Sequence, residues 1–103
     1  MSDPMRIRVA ERDGVVNVKI LMSHEMETGQ RKDAQGKTIP AWFIQNVTVA
    51  HNGKPVLNAQ WGPAIAKNPF LSFKFKGGAK GDKIEITWVD SRGEKRTDEA
   101  VIA

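Results

Sequence analysis

Apolar and polar residues alternate with a period of two along most of the chain, which is the pattern of β-strands that bury one face. In the segment MRIRVA, Ile7 and Val9 share one face, and Arg6 and Arg8 share the other. The segment VVNVKILM places a longer apolar series on one face, made of Val16, Val18, Ile20 and Met22. No stretch has a convincing period of 3.6 residues, so the pattern predicts an all-β chain without helices.

Turn signals divide the rest of the chain into further short strands. Asn52-Gly53 is a strong hairpin signal, because a type I′ turn needs positive φ at both central residues. The glycine-rich segment GGAKGD (Gly77–Asp82) lies between two strand patterns and lacks the spacing of a phosphate-binding loop, so we interpret it as a turn. The remaining predicted strands are AWFIQNVTVAH (Ala41–His51), KPVLNAQW, FLSFKFK, KIEITWVD and KRTDEAVI, with Leu71, Phe73, Phe75, Ile84, Ile86 and Trp88 facing inward.

These patterns predict an immunoglobulin-like antiparallel β-sandwich of about seven strands, in a single domain over residues 1–103. Parallel pairing is not expected, because the chain has no crossover helices. One connection breaks the regular spacing: the loop Ser23–Pro40 is longer than most loops of compact domains, and such loops are usually functional or mobile. Its glycines, its charges and Pro40 argue against a strand in its middle.

The composition excludes several kinds of chemistry. The chain has no cysteine, which excludes disulfides, thiol nucleophiles, Fe–S clusters and cysteine-based zinc sites. It has two histidines and no pattern of a catalytic triad or nucleophile elbow. We therefore predict no catalytic residue, no cofactor and no metal. No apolar run is long enough to span a membrane and no secretory signal is visible, which by itself predicts a cytoplasmic protein.

The net charge of +4 comes from 16 basic and 12 acidic residues. Such an excess could favour an acidic protein, an anion or nucleic acid. The basic residues are spread along the chain without a run of five, so we interpret most of them as solvated surface. A nucleic-acid-binding barrel that uses tryptophan and phenylalanine as stacking platforms stays open as an alternative.

Met22, His24 and Met26 alternate at the end of the second predicted strand. Thioether sulfur and imidazole suit Cu(I), so a copper-binding sandwich is a second alternative. The simpler interpretation takes Met22 as the last core residue and places His24 and Met26 in the loop. His51 flanks the Asn-Gly turn, and we expect it to be exposed at a hairpin tip.

The segment Ala59–Gly77 gathers aromatic and proline residues around a loop, where they either fill the core or form a patch that binds another protein. This segment also carries a family resemblance. The stretches METGQRKD, IPAWFI and WGPAIAKNPFLSFKF, in this order and spacing, resemble the SoxZ family, and the likeness runs from about His24 to Ile102.

The resemblance implies a non-catalytic β-sandwich paired with SoxY, whose C-terminal Gly-Gly-Cys-Gly-Gly arm holds sulfur intermediates of thiosulfate oxidation while other Sox enzymes act on them. It also implies the periplasm, reached by co-export with the signal-bearing SoxY. No nucleic acid or membrane partner is implied.

Two sets of residues are then the candidates for partner binding. For the SoxY-like subunit we predict a surface built from the long loop and the Trp61–Phe70 segment. Its residues are Trp61, Pro63, Asn68, Pro69 and Phe70, with Ile39, Pro40 and Trp42 as weaker candidates. Arg31, Lys32 and Asp33 are candidates for transient contacts with the other Sox enzymes.

Overall fold

The computed structural model describes residues 3–103, which form seven β-strands and no helix. The strands are β1 (Arg6–Arg12), β2 (Val15–Leu21), β3 (Ile44–His51), β4 (Lys54–Gln60), β5 (Phe70–Lys76), β6 (Lys83–Asp90) and β7 (Lys95–Val101). They build a three-stranded sheet in the order β1-β2-β5 and a four-stranded sheet in the order β4-β3-β6-β7. Every pairing is antiparallel, so the predicted β-sandwich is confirmed. No helix among the described residues could cross a membrane.

The core lies between the two sheets and is built by the inward face of each strand. Val16, Val18 and Ile20 of β2 are fully buried, and so are Ile84 and Ile86 of β6. Trp88 is only 1% exposed, so it lies inward as the alternation predicted. The three inward residues of β5 that the alternation named are half-buried and pack against this core: Leu71, Phe73 and Phe75.

The inward-facing series that starts at Val16 and Val18 of β2 continues further along the chain than the sequence predicted. Met22 is buried, as expected, but His24 and Met26 are also buried, at 6% and 5% exposure. His24 and Met26 lie in the connection after β2, as expected, but the expectation that Met22 is the last core residue is wrong. Met26 has a positive φ of 51°, so the chain turns sharply there without leaving the core face.

The third strand begins at Ile44, three residues later than predicted. Its register with β6 is irregular between Ile44 and Asn46. Before this point the chain pairs elsewhere, because the backbone of Trp42 exchanges hydrogen bonds with that of Glu27 (2.6 and 3.0 Å). The segment 41–43 therefore belongs to the long connection.

The long connection forms a two-stranded ribbon, residues 27–42, which we call the arm. Isolated bridges join Glu27 to Trp42 and Lys32 to Thr38. Asp33 closes the tip, since its carboxylate accepts hydrogen bonds from the backbone N–H groups of Gln35 (2.9 Å) and Lys37 (3.0 Å). The arm contains no regular strand, as predicted, and residues 30–38 are all exposed.

The expectation that His51 is exposed at a hairpin tip is wrong. His51 is half-buried, and its Nε2 lies 2.7 Å from Oδ2 of Asp82. Its ring also packs against Phe75, with 5.2 Å between ring centroids. The hydrogen bond from His51, helped by the backbone N–H of Ala79, lowers the pKa of Asp82 below its ordinary value.

Candidate partner-binding site

A buried polar cluster closes the end of the sandwich from which the arm projects. We call it the His24 cluster, and it consists of His24, Trp42, Trp88 and Asp90. His24 Nε2 lies 3.1 Å from Asp90 Oδ2, and Trp42 Nε1 donates to the same oxygen at 2.7 Å. The imidazole packs between the two indoles, with ring centroids 4.9 Å from Trp42 and 5.2 Å from Trp88.

Asp90 is only 2% exposed, and both of its carboxylate oxygens accept hydrogen bonds. Its Oδ1 accepts from the backbone N–H groups of Arg92 (3.0 Å) and Glu94 (2.9 Å). Burial raises the pKa of Asp90, but the hydrogen bonds, led by those from His24 and Trp42, lower it by more. The net pKa lies below the ordinary value, so Asp90 is a carboxylate at neutral pH.

Both ring nitrogens of His24 are used inside the fold. The backbone N–H of Met26 donates to Nδ1 at 3.1 Å, which assigns the proton to Nε2 for donation to Asp90. The sulfur of Met26 in turn accepts a hydrogen bond from the backbone N–H of Ile44 at 3.3 Å. Each candidate copper ligand thus has a structural role, and no imidazole lone pair is left for a metal. Within residues 3–103 no group of three or more His, Cys, Asp or Glu side chains could hold a metal ion.

The loop that follows β4 is fastened to the same end by three of the predicted residues. Asn68 and His24 bind each other twice, through Asn68 N–H to the His24 carbonyl (2.9 Å) and His24 N–H to Asn68 Oδ1 (3.1 Å). The buried Pro69 accepts a hydrogen bond from the N–H of Met22 (2.9 Å). Trp61 is half-buried against the core. These three residues therefore hold the loop in place; Pro69 is buried, Trp61 is half-buried and Asn68 is exposed.

Phe70 and Pro63 are the exposed apolar residues of the predicted Trp61–Phe70 segment. Phe70 is 61% exposed, and in the sheet it lies next to Leu21, which is 39% exposed. A groove of about 580 Å³ runs beside this pair, lined by Arg6, Ile7, Arg8, Lys19, Leu21 and Phe70. Sequence reasoning missed Leu21, although an apolar residue on the polar face of a strand is a visible signal.

The remaining predicted residues lie along the arm. Arg31 and Glu27 form an ion pair on its surface, and the Arg31 side chain is 65% exposed. Lys32 pairs with Thr38 near the tip, and Ile39 and Pro40 are on the returning segment. At the base, the guanidinium of Arg92 lies 4.2 Å from the centre of the Trp42 ring. The structure thus divides the predicted set into residues that fasten the loop, the exposed apolar residues Pro63 and Phe70, and the projecting arm.

Comparison with known proteins places this architecture in a family. The family model described as "Sulphur oxidation protein SoxZ" matches residues 5–101. No curated protein matches the chain.

Among solved structures, the chain is similar to the one described as "Crystal structure of hypothetical protein PH1083 from Pyrococcus horikoshii OT3". The TM-score is 0.65 at 15% identity, over 99% of this chain and 89% of that chain. This likeness supports the fold alone. The family match covers nearly the whole length, and the chain therefore belongs to the SoxZ family of sulfur-oxidation proteins.

Proposed function

We propose that this chain is the non-catalytic subunit of a SoxYZ-type carrier in thiosulfate oxidation, paired with a SoxY-like subunit whose C-terminal cysteine carries the sulfur intermediates. The match of residues 5–101 to the SoxZ family carries this proposal, because the family has a role in sulfur oxidation together with other Sox proteins. The absence of cysteine agrees with it, since a thiolate is the group that attacks and holds sulfur. The complex would act in the periplasm, which the chain would reach by co-export with its partner.

The proposed interface for the SoxY-like subunit is the end of the sandwich that carries Phe70. Permanent interfaces bury an apolar centre, and large aromatic residues often dominate their binding energy. Phe70 is the large aromatic residue that the structure leaves most open, and Leu21 extends the apolar surface beside it. Trp61, Asn68, Pro69 and Trp42 would contribute indirectly, by fixing the loop and the base of the arm.

The arm would make the transient contacts with the other Sox enzymes, which act on the sulfur that the SoxY-like subunit carries. Its exposed tip residues, Arg31, Lys32 and Asp33, project away from the core and are held in shape by hydrogen bonds within the arm. Such a preformed ribbon can dock with little loss of conformational entropy. The arm would thereby help to present the carrier to these enzymes, and the chain itself would perform no chemistry.

Replacing Phe70 by alanine tests the proposed interface. We expect the affinity for the SoxY-like subunit to fall at least about tenfold, because an aromatic anchor is typically worth more than about 1.4 kcal/mol of binding free energy. Titration calorimetry with the purified SoxY-like subunit measures the change.

Val101→Ala is the matched control, since Val101 is 63% exposed but lies on β7 of the other sheet. Both side chains are exposed, so neither variant should change the free energy of unfolding by more than about 0.5 kcal/mol. Equal affinities of the two variants for the SoxY-like subunit would show that Phe70 lies outside the interface. A wild-type chain that does not bind the SoxY-like subunit would contradict the proposed function as a whole.

A further inference from the structure

The outward face of the three-stranded sheet carries positive charge and no negative charge. Four rows of residues lie side by side across β1, β2 and β5. The rows are Arg6–Leu21–Phe70, Arg8–Lys19–Ser72, Ala10–Asn17–Lys74 and Arg12–Val15–Lys76. Six of the chain's 16 basic residues lie here and none of its 12 acidic ones, so the rest of the chain has a slight excess of acid. We call this surface the basic face.

The charges of the basic face are not arranged for the stability of the sheet. Arg8 lies directly opposite Lys19, and like charges in that position destabilise a strand pair. None of the six basic residues forms an ion pair with any residue of the described range 3–103. The other sheet differs, because Lys83 on its surface pairs with Glu99 at 2.8 Å. An uncompensated cluster of this kind is typical of a surface that recognises a negatively charged partner.

We propose that the basic face transiently docks an acidic protein surface, belonging to one of the other Sox proteins with which this chain acts. Charge complementarity is the property that the face offers, and it chiefly accelerates association. Away from the Phe70–Leu21 corner a permanent interface is less suitable, because the centre of such interfaces is depleted of charged residues.

Nucleic acid fits the face less well than an acidic protein does. Proteins that bind single strands combine positive charge with several aromatic side chains on which successive bases stack. The basic face has one aromatic residue, Phe70, at one corner. The face therefore offers charge without a stacking platform.

The half of the basic face around Arg12, Lys74 and Lys76 is separate from the proposed interface for the SoxY-like subunit, whereas Arg6, Arg8 and Lys19 line the groove beside Phe70. A strand of seven residues spans about 20 Å, so Arg12 and Lys76 lie roughly that far from the Phe70 corner. The inference rests on the proposed function for the identity of the candidate partners alone. The excess of positive charge on the face comes from this chain's own residues.

A matched pair of triple variants tests the proposal. The face variant is Arg12→Gln, Lys74→Gln, Lys76→Gln, and the control is Lys54→Gln, Lys80→Gln, Lys95→Gln. Each removes three positive charges from exposed residues, and the control residues are scattered. Each is combined with the SoxY-like subunit, or used alone if that pairing fails, and mixed with each purified Sox enzyme of the same organism. Stopped-flow fluorescence of a dye attached to the Sox enzyme measures the association rate constants.

We expect the face variant to associate with at least one Sox enzyme about tenfold more slowly than wild type at about 10 mM salt, where charges act over about 30 Å. The control should differ from wild type by less than about threefold, and the difference should vanish at about 1 M salt. Equal slowing in both variants, or no change in either, would overturn the proposal. So would loss of the SoxY-like subunit from the face variant, or face-dependent retention on single-stranded DNA or anionic vesicles at about 0.15 M salt.

Discussion

Asp90 joins three separate parts of the chain through one buried side chain. It holds His24 from the segment after β2, Trp42 from the base of the arm, and the backbone of Arg92 in the turn between β6 and β7. A buried carboxylate is tolerated only when its oxygens are satisfied, and here four donors satisfy them. The position of the arm on the sandwich therefore depends on this residue.

Asp90→Asn should lower the free energy of unfolding at pH 7 by about 2–3 kcal/mol, because an amide cannot accept all four hydrogen bonds and buries an unpaired N–H group. The folded-state pKa of Asp90 lies below its ordinary value of 3.8. The stabilisation is therefore present above that value and is lost as the pH falls through the folded-state pKa. Urea unfolding at pH 7 and at about pH 2 should show the difference between variant and wild type becoming smaller in acid.

Asp13→Asn is the control for this pH series. Asp13 is exposed in a turn at a positive φ of 54°, a conformation that asparagine also adopts readily. We expect its unfolding free energy to stay within about 0.5 kcal/mol of wild type. A loss for Asp90→Asn that is equally large at both pH values would contradict the role of the charge.

At the scale of elements, the strands were predictable and the connections were not. Alternation places Val16, Val18 and Ile20 inward whatever the partner strand is, because successive side chains always point to opposite faces. The burial of His24 depends on Asp90, which is 66 residues away in sequence, and no local pattern encodes such a contact. The arm was missed as a ribbon for a similar reason, since two isolated bridges leave no apolar alternation to detect.

The candidate site was predictable in its residue types and less so in their exposure. Phe70 and Pro63 are exposed, but Pro69 is buried and Trp61 packs on the core. An aromatic or a proline in a loop pattern has no period from which burial can be inferred. The basic face was partly visible in the sequence, because Arg6 and Arg8 alternate with inward-facing residues of β1. The sequence does not show that β1 and β5 both pair with β2, and this pairing is what brings the remaining basic residues onto the same face.

The turn between β5 and β6 offers a test at this scale. A Cβ atom at Gly78 would lie 2.5 Å from Cγ2 of the fully buried Val16 and 3.2 Å from Cδ1 of Ile102. Gly78→Ala should therefore lower the free energy of unfolding by about 1–3 kcal/mol through overpacking. Gly62→Ala is the control, because a Cβ there meets nothing within 4 Å. Thermal unfolding of the two variants measures the difference. Equal midpoint temperatures would contradict the close packing around Gly78.

At the scale of the whole molecule, the protein is elongated. Its extents are 54 × 20 × 20 Å, and its radius of gyration is 15.5 Å. A compact chain of this length has a radius of gyration of about 13 Å. Strands of seven or eight residues span only about 25 Å, so the projecting arm accounts for much of the added length.

Replacing residues 30–39 by Asn-Gly should therefore move the radius of gyration in solution toward about 13 Å, as measured by small-angle X-ray scattering. The free energy of unfolding should change by less than about 1 kcal/mol, because residues 30–38 are exposed and add nothing to the core. An unchanged radius would show that the wild-type arm lies folded against the sandwich.

The placement of the indoles gives the molecule a built-in optical reporter. The chain has three tryptophans and no tyrosine, so its near-ultraviolet emission comes almost entirely from indoles. Trp42 and Trp61 are half-buried at the end that carries Phe70, whereas Trp88 is sealed in the core and the basic face has no tryptophan. A molecule that binds at the Phe70 end would shift the wavelength of this emission, while one that docks on the basic face near Arg12 and Lys76 would leave it nearly unchanged.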